Sequence, residues 1–203
     1  MSTNHQELEA KFYINDLSTL KARVETLGAA LKHPRVLEIN LRFDTPAGDF
    51  MRTFRALRLR QDTVARVTYK GPGTVQDGAR LREELEFTVS DFDTAKAFLE
   101  ALGYQVVVIY EKYRTTYTLG KLEISLDEMP YGNFVEIEGP DGQSIQETAS
   151  RLGLDWGAVI LDSYLVLFDR LRQSLGLSFR DLTFSNFKGI TITSSIMGVQ
   201  TAM

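Results

Sequence analysis

Carboxylates at every second position of several short segments are the residues of this sequence that could do chemistry. Carboxylates gathered in one buried place raise each other's pKa and cannot all stay ionised. Divalent cations resolve that conflict, and oxygen ligands without nitrogen or sulfur favour Mg²⁺ or Mn²⁺, with Ca²⁺ as an alternative. The candidate metal ligands are Glu7, Glu9, Glu84, Glu86, Asp127, Glu136 and Glu138.

A second set of alternating residues is basic. Guanidinium groups bind phosphate oxygens in pairs, and lysines supply point charges. Several cations in a confined space repel one another unless a polyanion lies among them, so the pattern favours a metal-bound triphosphate. The alternative is that acids and bases simply pair with one another across a polar interior. The basic residues are Lys11, Arg58, Arg60, Lys70, Lys112 and Arg114, with Arg82 as a further candidate.

These charged residues lie in segments with the period-two repeat of a β-strand. In the first segment, Glu7, Glu9 and Lys11 share one face, and the residues between them are apolar. A solvated outer face would explain one such strand. Recurrence with charges of both signs predicts a closed sheet whose polar face lines an interior and whose apolar face is covered by helices. The alternation recurs in residues 57–60, 80–87, 111–118, 122–127 and 135–138.

Composition excludes several classes of function. The 203 residues suit one globular domain, and the absence of cysteine excludes disulfides, thiolate nucleophiles and zinc–thiolate sites. With only two histidines, we expect neither a histidine metal centre nor a Ser-His-Asp triad. The net charge of −4 argues against a general binder of nucleic acid or anionic membranes. No apolar run approaches the ~20 residues that span a bilayer, and residues 1–6 lack a secretory layout, so we expect a cytoplasmic protein.

The two halves of the chain resemble each other. A predicted helix that ends at Gly28 matches one that ends at Gly103, and the strand ends at 67–72 and 135–140 also match. Lys70 then stands where the second half has Glu138. A pseudo-twofold sheet would therefore set a basic wall against an acidic one. Chance similarity of short strand and turn signals is the alternative.

The remaining segments are less informative. Residues 71–79 predict a mobile loop, and residues 144–152 and 161–175 predict helices. We expect one domain over residues 1–175 and a partly flexible C-terminal extension over residues 176–203. Core packing is the expected role of each unassigned aromatic residue, including Phe54.

The segment Glu7-x-Glu9-x-Lys11 resembles the ExExK signature of the CYTH family, the triphosphate tunnel metalloenzymes. Ser163-Tyr164 also resembles the closing helix of that family. The resemblance covers roughly residues 5–170. Its other segments are Leu-Arg-Leu-Arg at 57–60, Thr-Tyr-Lys-Gly-Pro at 68–72, Arg-Glu-Glu-Leu-Glu at 82–86, Lys-Tyr-Arg at 112–114, Leu-Asp-Glu at 126–128 and Phe-Val-Glu-Ile-Glu-Gly at 134–139.

The resemblance implies an α+β fold: an eight-stranded antiparallel closed tunnel barrel with a polar, charged lumen and helices packed outside. It implies that Arg58, Arg60, Lys70, Lys112 and Arg114 hold phosphates. Lys11 would bind phosphate or orient the attacking water, with Glu7 and Glu9 beside it as catalytic groups. The implied metal ligands for Mg²⁺ or Mn²⁺ are Glu7, Glu9, Glu86, Asp127, Glu136 and Glu138, with Glu84 as a further member. Phe43, next to Arg42, stands where many members have tyrosine.

The implied activity is hydrolysis of a nucleoside, thiamine or inorganic triphosphate. The alternative is cyclisation of ATP to cAMP and pyrophosphate, because the amino-acid sequence of these motifs is most similar to the CyaB-like class IV adenylyl cyclase branch. Residues 2–6 lack the His-Phe-x-Gly-x-Tyr lead-in of the better-defined cyclases, which favours hydrolysis. A non-catalytic module that binds polyphosphate or nucleotide is a third hypothesis. Such a module would be expected to keep the basic residues and to lack several of the acidic ones. The resemblance also makes a homodimer an option.

Overall fold

A nine-stranded antiparallel sheet dominates the computed structural model, which describes residues 5–203. The neighbour order is β1-β9-β8-β7-β2-β3-β4-β6, and β6 pairs back with β1, so eight strands close the sheet on itself. The ninth strand, β5, pairs with the first residues of β6. The predicted closed antiparallel sheet of eight strands is confirmed. The strands are β1 (Gln6–Ile14), β2 (Ala30–Asp44), β3 (Ala56–Gln61), β4 (Ala65–Lys70), β5 (Thr74–Gln76), β6 (Ala79–Val89), β7 (Gln105–Leu119), β8 (Leu122–Met129) and β9 (Gly132–Glu138).

Helices lie outside the closed sheet. Asp16 and Asp91 cap the first two long helices, because each carboxylate accepts the backbone N–H three residues on. Gly28 and Gly103 follow these helices with φ of 81° and 92°, the left-handed conformation that glycine adopts without strain. The helices are α1 (Leu17–Thr26), α2 (Asp49–Arg52), α3 (Phe92–Ala101), α4 (Gly142–Arg151), α5 (Tyr164–Leu175) and α6 (Ser194–Met197), with a 3-10 turn at Trp156–Ala158.

The apolar core lies between the closed sheet and its helices. Phe12 and Ile137 from the sheet pack with Ile145 of α4, and Leu59 packs with Leu99 of α3. Side chains alternate between the two faces of a strand, so the apolar residues take the outer face and the charged residues the inner one. This arrangement leaves the interior of the closed sheet to polar groups, as the alternation predicts.

The strand order has the symmetry that the internal resemblance predicts. Exchanging β1, β2, β3 and β4 for β6, β7, β8 and β9 reproduces the same closed order read backwards. Lys70 lies opposite Glu84 across β4 and β6, and Glu138 lies opposite Glu9 across β9 and β1. Lys70 and Glu138 therefore occupy equivalent places, and only the first of them faces a residue of opposite charge.

Two segments are more ordered than their composition suggests. The predicted loop at residues 71–79 contains β5, because the first residues of β6 offer it a free edge. Residues 176–203 lie against the sheet and α5: Leu182 is buried and its N–H donates to the Ile109 carbonyl at 2.9 Å. The Ala202 N–H likewise donates to the carbonyl of Tyr13 at 3.0 Å. The boundary at residue 175 stays a prediction. None of the helices in residues 5–203 combines the length and apolarity needed to cross a membrane.

Candidate active site

The interior of the closed sheet holds a cavity of about 380 Å³, which we call the central cavity. Asp127 is the predicted site residue that does not line it, and its side chain is fully buried. The other predicted residues come from six strands and meet there because their strands curve around one axis. They are Glu7, Glu9, Lys11, Arg58, Arg60, Lys70, Glu84, Glu86, Lys112, Arg114, Glu136 and Glu138.

Two further cavities continue the central cavity. One of about 420 Å³ shares Arg60 and Glu86 with it. The other, of about 290 Å³, shares Arg42, Ala56 and Arg82 with it, and we call this cavity the vestibule. Ala56 begins β3 and Arg60 lies near the end of that strand, so these cavities lie at opposite ends of the interior. An elongated ligand therefore has space along the axis.

Lys70 lies between two carboxylates from different strands. Its ammonium is 2.6 Å from Glu7 and 3.0 Å from Glu84. Burial raises the pKa of Glu7, and Lys70 opposes that effect while Glu84 adds to it. The three residues therefore share a compact charged cluster in which one cation serves two acids.

Arginines of β3 lie beside this cluster, because β3 pairs with the strand that carries Lys70. The Arg58 guanidinium donates to Thr68 at 3.2 Å and to the Tyr110 hydroxyl at 3.4 Å, and it lies 3.5 Å from Glu86. Its Nε is buried without a partner among residues 5–203. Arg60 lies 3.2 Å from Glu86. Donors of Arg58 thus remain free to bind an anion in the cavity.

Asp127 holds two of the predicted phosphate-binding residues in place. Its carboxylate accepts from Lys112 at 3.0 Å, from Nε of Arg114 at 2.6 Å and from the Tyr164 hydroxyl at 2.8 Å. A second guanidinium nitrogen of Arg114 donates to it as well. Because four donors already surround this buried carboxylate, its geometry suits positioning of Lys112 and Arg114.

Lys11 joins β1 to β9 and to the start of α5. Its ammonium lies 3.2 Å from Glu136, donates to the Asp162 carbonyl at 3.2 Å, and lies 4.3 Å from the centre of the Tyr164 ring. Burial alone would raise the pKa of Glu136, but the charges of Lys11 and Arg114 hold it well below its usual value. Glu136 therefore stays ionised at neutral pH.

Glu9 and Glu138 are different, because among residues 5–203 neither carboxylate has a hydrogen bond or an ion pair. They lie directly opposite each other on β1 and β9, and Glu123 is the next residue across, on β8. Like charges in this arrangement destabilise a sheet. Burial and then Glu136 and Glu7 raise the pKa of Glu9. Burial, then Glu7 and Glu123, raise the pKa of Glu138 to about 7.

This acidic row offers only oxygen ligands, and its Glu9 and Glu138 are unpaired, so it fits a hard divalent cation, which would remove the repulsion. Within residues 5–203, no three acidic or histidine side chains already converge on one point in metal-binding geometry. Lysine and arginine hold several of the other acids instead, as Lys70 holds Glu7 and Glu84. The donor chemistry thus fits Mg²⁺ or Mn²⁺, with Glu9 and Glu138 as the acids that have no competing partner.

The pKa of Glu138 predicts how the stability of the metal-free protein depends on pH. Its value of about 7 in the folded state exceeds the ordinary 4.5, so the folded protein binds this proton more tightly than the unfolded chain. The resulting stabilisation is complete below pH 4.5 and is lost as the pH rises through about 7. Neighbouring atoms desolvate the Glu138 carboxylate, but the residue as a whole is exposed at the edge of the cavity, so screening by solvent limits the effect to about 1 kcal/mol.

We expect the free energy of unfolding in EDTA to fall between about pH 5 and about pH 8. The variant Glu138→Gln should show a smaller fall. Mg²⁺ should also stabilise this variant less than it stabilises the wild type. The matched control is Glu83→Gln, an exposed glutamate on β6 outside the central cavity. Chemical unfolding at several pH values measures the effect, and an equal fall in both variants would contradict it.

Several polar residues of β2, in or beside the central cavity, were missed by the sequence analysis. Glu38 lies 3.4 Å from Lys112 and 3.5 Å from Arg60, and although burial opposes it, these and neighbouring cations lower the pKa of Glu38 to about 2. Asn40 is fully buried, and neither of its side-chain polar atoms has a partner among residues 5–203. Arg42 lines the cavity on the same strand. The alternation of polar and apolar residues at 36–42 was the signal that could have identified all three.

Comparison with known proteins adds a family match. Residues 5–151 match the family model described as the CYTH domain. A curated relative named "Putative adenylate cyclase MJ0240", from Methanocaldococcus jannaschii, is 31% identical over 134 residues, which are 65% of this chain and 75% of the relative.

Solved structures share the fold. An X-ray structure described as a "putative adenylate cyclase" from Vibrio parahaemolyticus has a TM-score of 0.75 at 19% identity, covering 82% of this chain and 99% of that one. The Hippeastrum protein HpAC1, described as a "putative adenylyl cyclase" with a dominant triphosphatase activity, has a TM-score of 0.62 at 20% identity, covering 80% and 95%. At these identities the two structures are evidence of a common fold.

Proposed function

The chain belongs to the CYTH domain family, and from that premise we propose that it hydrolyses a triphosphate-containing substrate in the central cavity with a divalent cation. The substrate class is a nucleoside, thiamine or inorganic triphosphate. One observation carries the proposal: basic and acidic side chains from all eight strands of the closed sheet meet in a single elongated cavity. A chain of phosphates with a bound cation is complementary to both kinds of charge.

The basic residues would bind the phosphates. In the structure Lys70, Arg60 and Arg114 each contact a carboxylate, which keeps their head groups in the cavity before substrate arrives. Phosphate oxygens offer the same kind of charge-assisted hydrogen bond. We assign phosphate binding to Arg58, Arg60, Lys70, Lys112 and Arg114.

The acidic residues would hold the metal. Among residues 5–203, Glu9 and Glu138 form no ion pair, and burial and neighbouring acids raise the pKa of each, so we assign them first, with Glu7 beside them. Asp127 was predicted as a ligand, but its surrounding donors support a positioning role. When bound, Mg²⁺ or Mn²⁺ neutralises charge on phosphate oxygens and lowers the pKa of a coordinated water. The further proposed ligands are Glu84, Glu86 and Glu136.

The reaction needs positioning and charge neutralisation more than covalent chemistry. Water attacks the terminal phosphorus, a new P–O bond forms, and the bridging P–O bond breaks to leave a diphosphate. Lys11 lies in the cavity beside Glu136, where it can bind a phosphate oxygen or orient the water. The ionised Glu136 keeps Lys11 directed into that space.

A class IV adenylyl cyclase activity is the second candidate, and the name of the Methanocaldococcus jannaschii relative favours it. The same cavity would then hold ATP so that the ribose 3′-hydroxyl attacks the α-phosphorus and pyrophosphate leaves. Shared fold and shared phosphate contacts do not fix which nucleophile reacts.

Product analysis separates the candidates. We expect free phosphate when the protein is incubated with ATP, thiamine triphosphate or tripolyphosphate and Mg²⁺ or Mn²⁺, as detected by ion chromatography. Formation of cAMP and pyrophosphate from ATP would contradict the proposed hydrolysis and favour the cyclase activity. Tight binding without any turnover would leave only a binding module. A cytoplasmic location and a homodimer stay predictions.

A further inference from the structure

The vestibule differs in character from the central cavity that it joins. Its walls are apolar over most of their area and lie between α2, β7 and the start of α5. Charged residues complete the lining, including Asp44, Arg55, Asp169, Arg172 and Arg180. The apolar residues include Met51, Phe54, Val107, Val108, Leu165 and Val166. The apolar part of these walls offers nothing to a phosphate chain, whereas an organic group can pack on it.

Arg42 and Arg82 stand where the central cavity opens into the vestibule, because both line the two cavities. Neither forms an ion pair among residues 5–203, and the Nε of each is buried without a partner. Their contacts are with neutral carbonyls, of Arg55 at 3.5 Å and of Gly71 at 3.3 Å. Two largely buried guanidinium groups that form no ion pair are suited to an anion.

Phe54 is placed where neither burial nor backbone preference explains a phenylalanine. It follows α2 with a φ of 56°, in the left-handed region where a bulky residue is unfavourable and glycine is usual. Its side chain is 77% exposed, so the expectation that it packs in the core is wrong. Met51, one turn earlier in α2, is 67% exposed. Two large apolar side chains thus stand in solvent at the rim of the vestibule.

From this order of cations followed by apolar surface, we propose that the vestibule binds the organic group of a triphosphate ester. The phosphate that carries the ester lies at Arg42 and Arg82, and an aromatic ring of the organic group packs on Phe54 and Met51. The proposal rests on the proposed function and narrows its substrate class to organic triphosphates. It also orients the substrate, with the terminal phosphate farther along the axis, towards Arg60.

Binding in EDTA tests the proposal without turnover, because the proposed hydrolysis needs a cation. Calorimetric titration compares ATP and thiamine triphosphate with tripolyphosphate for the wild type, Phe54→Gly and Phe54→Trp. We expect Phe54→Gly to weaken binding of both organic triphosphates about tenfold and to leave tripolyphosphate unchanged. Phe54→Trp, which keeps an aromatic face, should retain the wild-type affinities.

Two controls keep stability and surface effects apart from binding. Glycine adopts the left-handed conformation readily, so the thermal midpoint of Phe54→Gly should be equal to or above that of the wild type. Phe98→Ala removes a phenylalanine that is 63% exposed on α3, outside the vestibule, and should change no affinity.

Equal weakening of all three ligands, or unchanged affinity for both organic triphosphates, would overturn the proposal. The absence of phosphate release with Mg²⁺ would instead overturn the proposed function. The affinities measured in EDTA would still show whether the vestibule binds the organic group.

Discussion

The variant Asp127→Asn is expected to lower the free energy of unfolding by about 3 kcal/mol. Asp127 is fully buried and faces donors from Lys112, Arg114 and Tyr164. The asparagine removes the negative charge and turns an NH₂ group towards those donors, so two buried cations lose their main counter-charge. Chemical unfolding at neutral pH measures the difference.

The matched control is Asp162→Asn. Asp162 pairs with Arg170 at 2.6 Å, but both side chains are substantially exposed. Exposed pairs contribute little, so we expect a change within about 1 kcal/mol. Mg²⁺ should still stabilise Asp127→Asn, because the proposed metal ligands are elsewhere. Similar losses in the two variants would contradict the positioning role of Asp127.

The variant Arg58→Ala is expected to weaken binding of tripolyphosphate by about 2 kcal/mol, or roughly 30-fold. The guanidinium lies in the central cavity, and its Nε has no partner among residues 5–203. Charge-assisted hydrogen bonds to phosphate are among the stronger polar contacts, and alanine removes both the charge and the donors. Titration calorimetry in EDTA gives the affinity.

Arg35→Ala is the control for this loss of charge. Arg35 pairs with Glu128 at 2.7 Å and lies over the Tyr113 ring, outside the central cavity. Its loss changes the net charge of the protein as much as the loss of Arg58 does. An equal drop in affinity for the two variants would mean that overall charge, and not the cavity, binds the ligand.

The closed sheet and its polar interior were predictable because side-chain direction in a strand is a local property. Period-two alternation at Glu7, Glu9 and Lys11 assigns one face whatever the rest of the chain does. The equivalence of Lys70 and Glu138 was likewise readable from matching strand ends, and the strand order bears it out. Nine strands instead of eight resulted from β5, whose short exposed segment carries no alternation of its own.

The pairing of charges was not predictable, because it depends on which strands become neighbours. Lys70 contacts Glu7 and Glu84 only because β4, β6 and β1 are adjacent around the closed sheet. Asp127 follows the same period-two alternation as the other charged residues of its strand, so the sequence does not set it apart. Only the register with β7 places Arg114 directly opposite it.

Phe54 could not be told from a core aromatic by sequence pattern. Its exposure follows from the backbone turn after α2, where φ is 56°. The apolar vestibule forms because α2, β7 and α5 meet beside that turn. Such contacts between distant segments leave no periodic signal in the chain.

The most direct test of the account is the rate of phosphate release from a triphosphate, measured with the wild type and Glu136→Gln at increasing Mg²⁺. Glu136 contacts Lys11 and Arg114 in the central cavity. We predict release by the wild type that requires Mg²⁺ and is abolished by EDTA, and none by a folded Glu136→Gln. Release that is independent of Mg²⁺, or unchanged in Glu136→Gln, would contradict a metal-dependent reaction in this cavity.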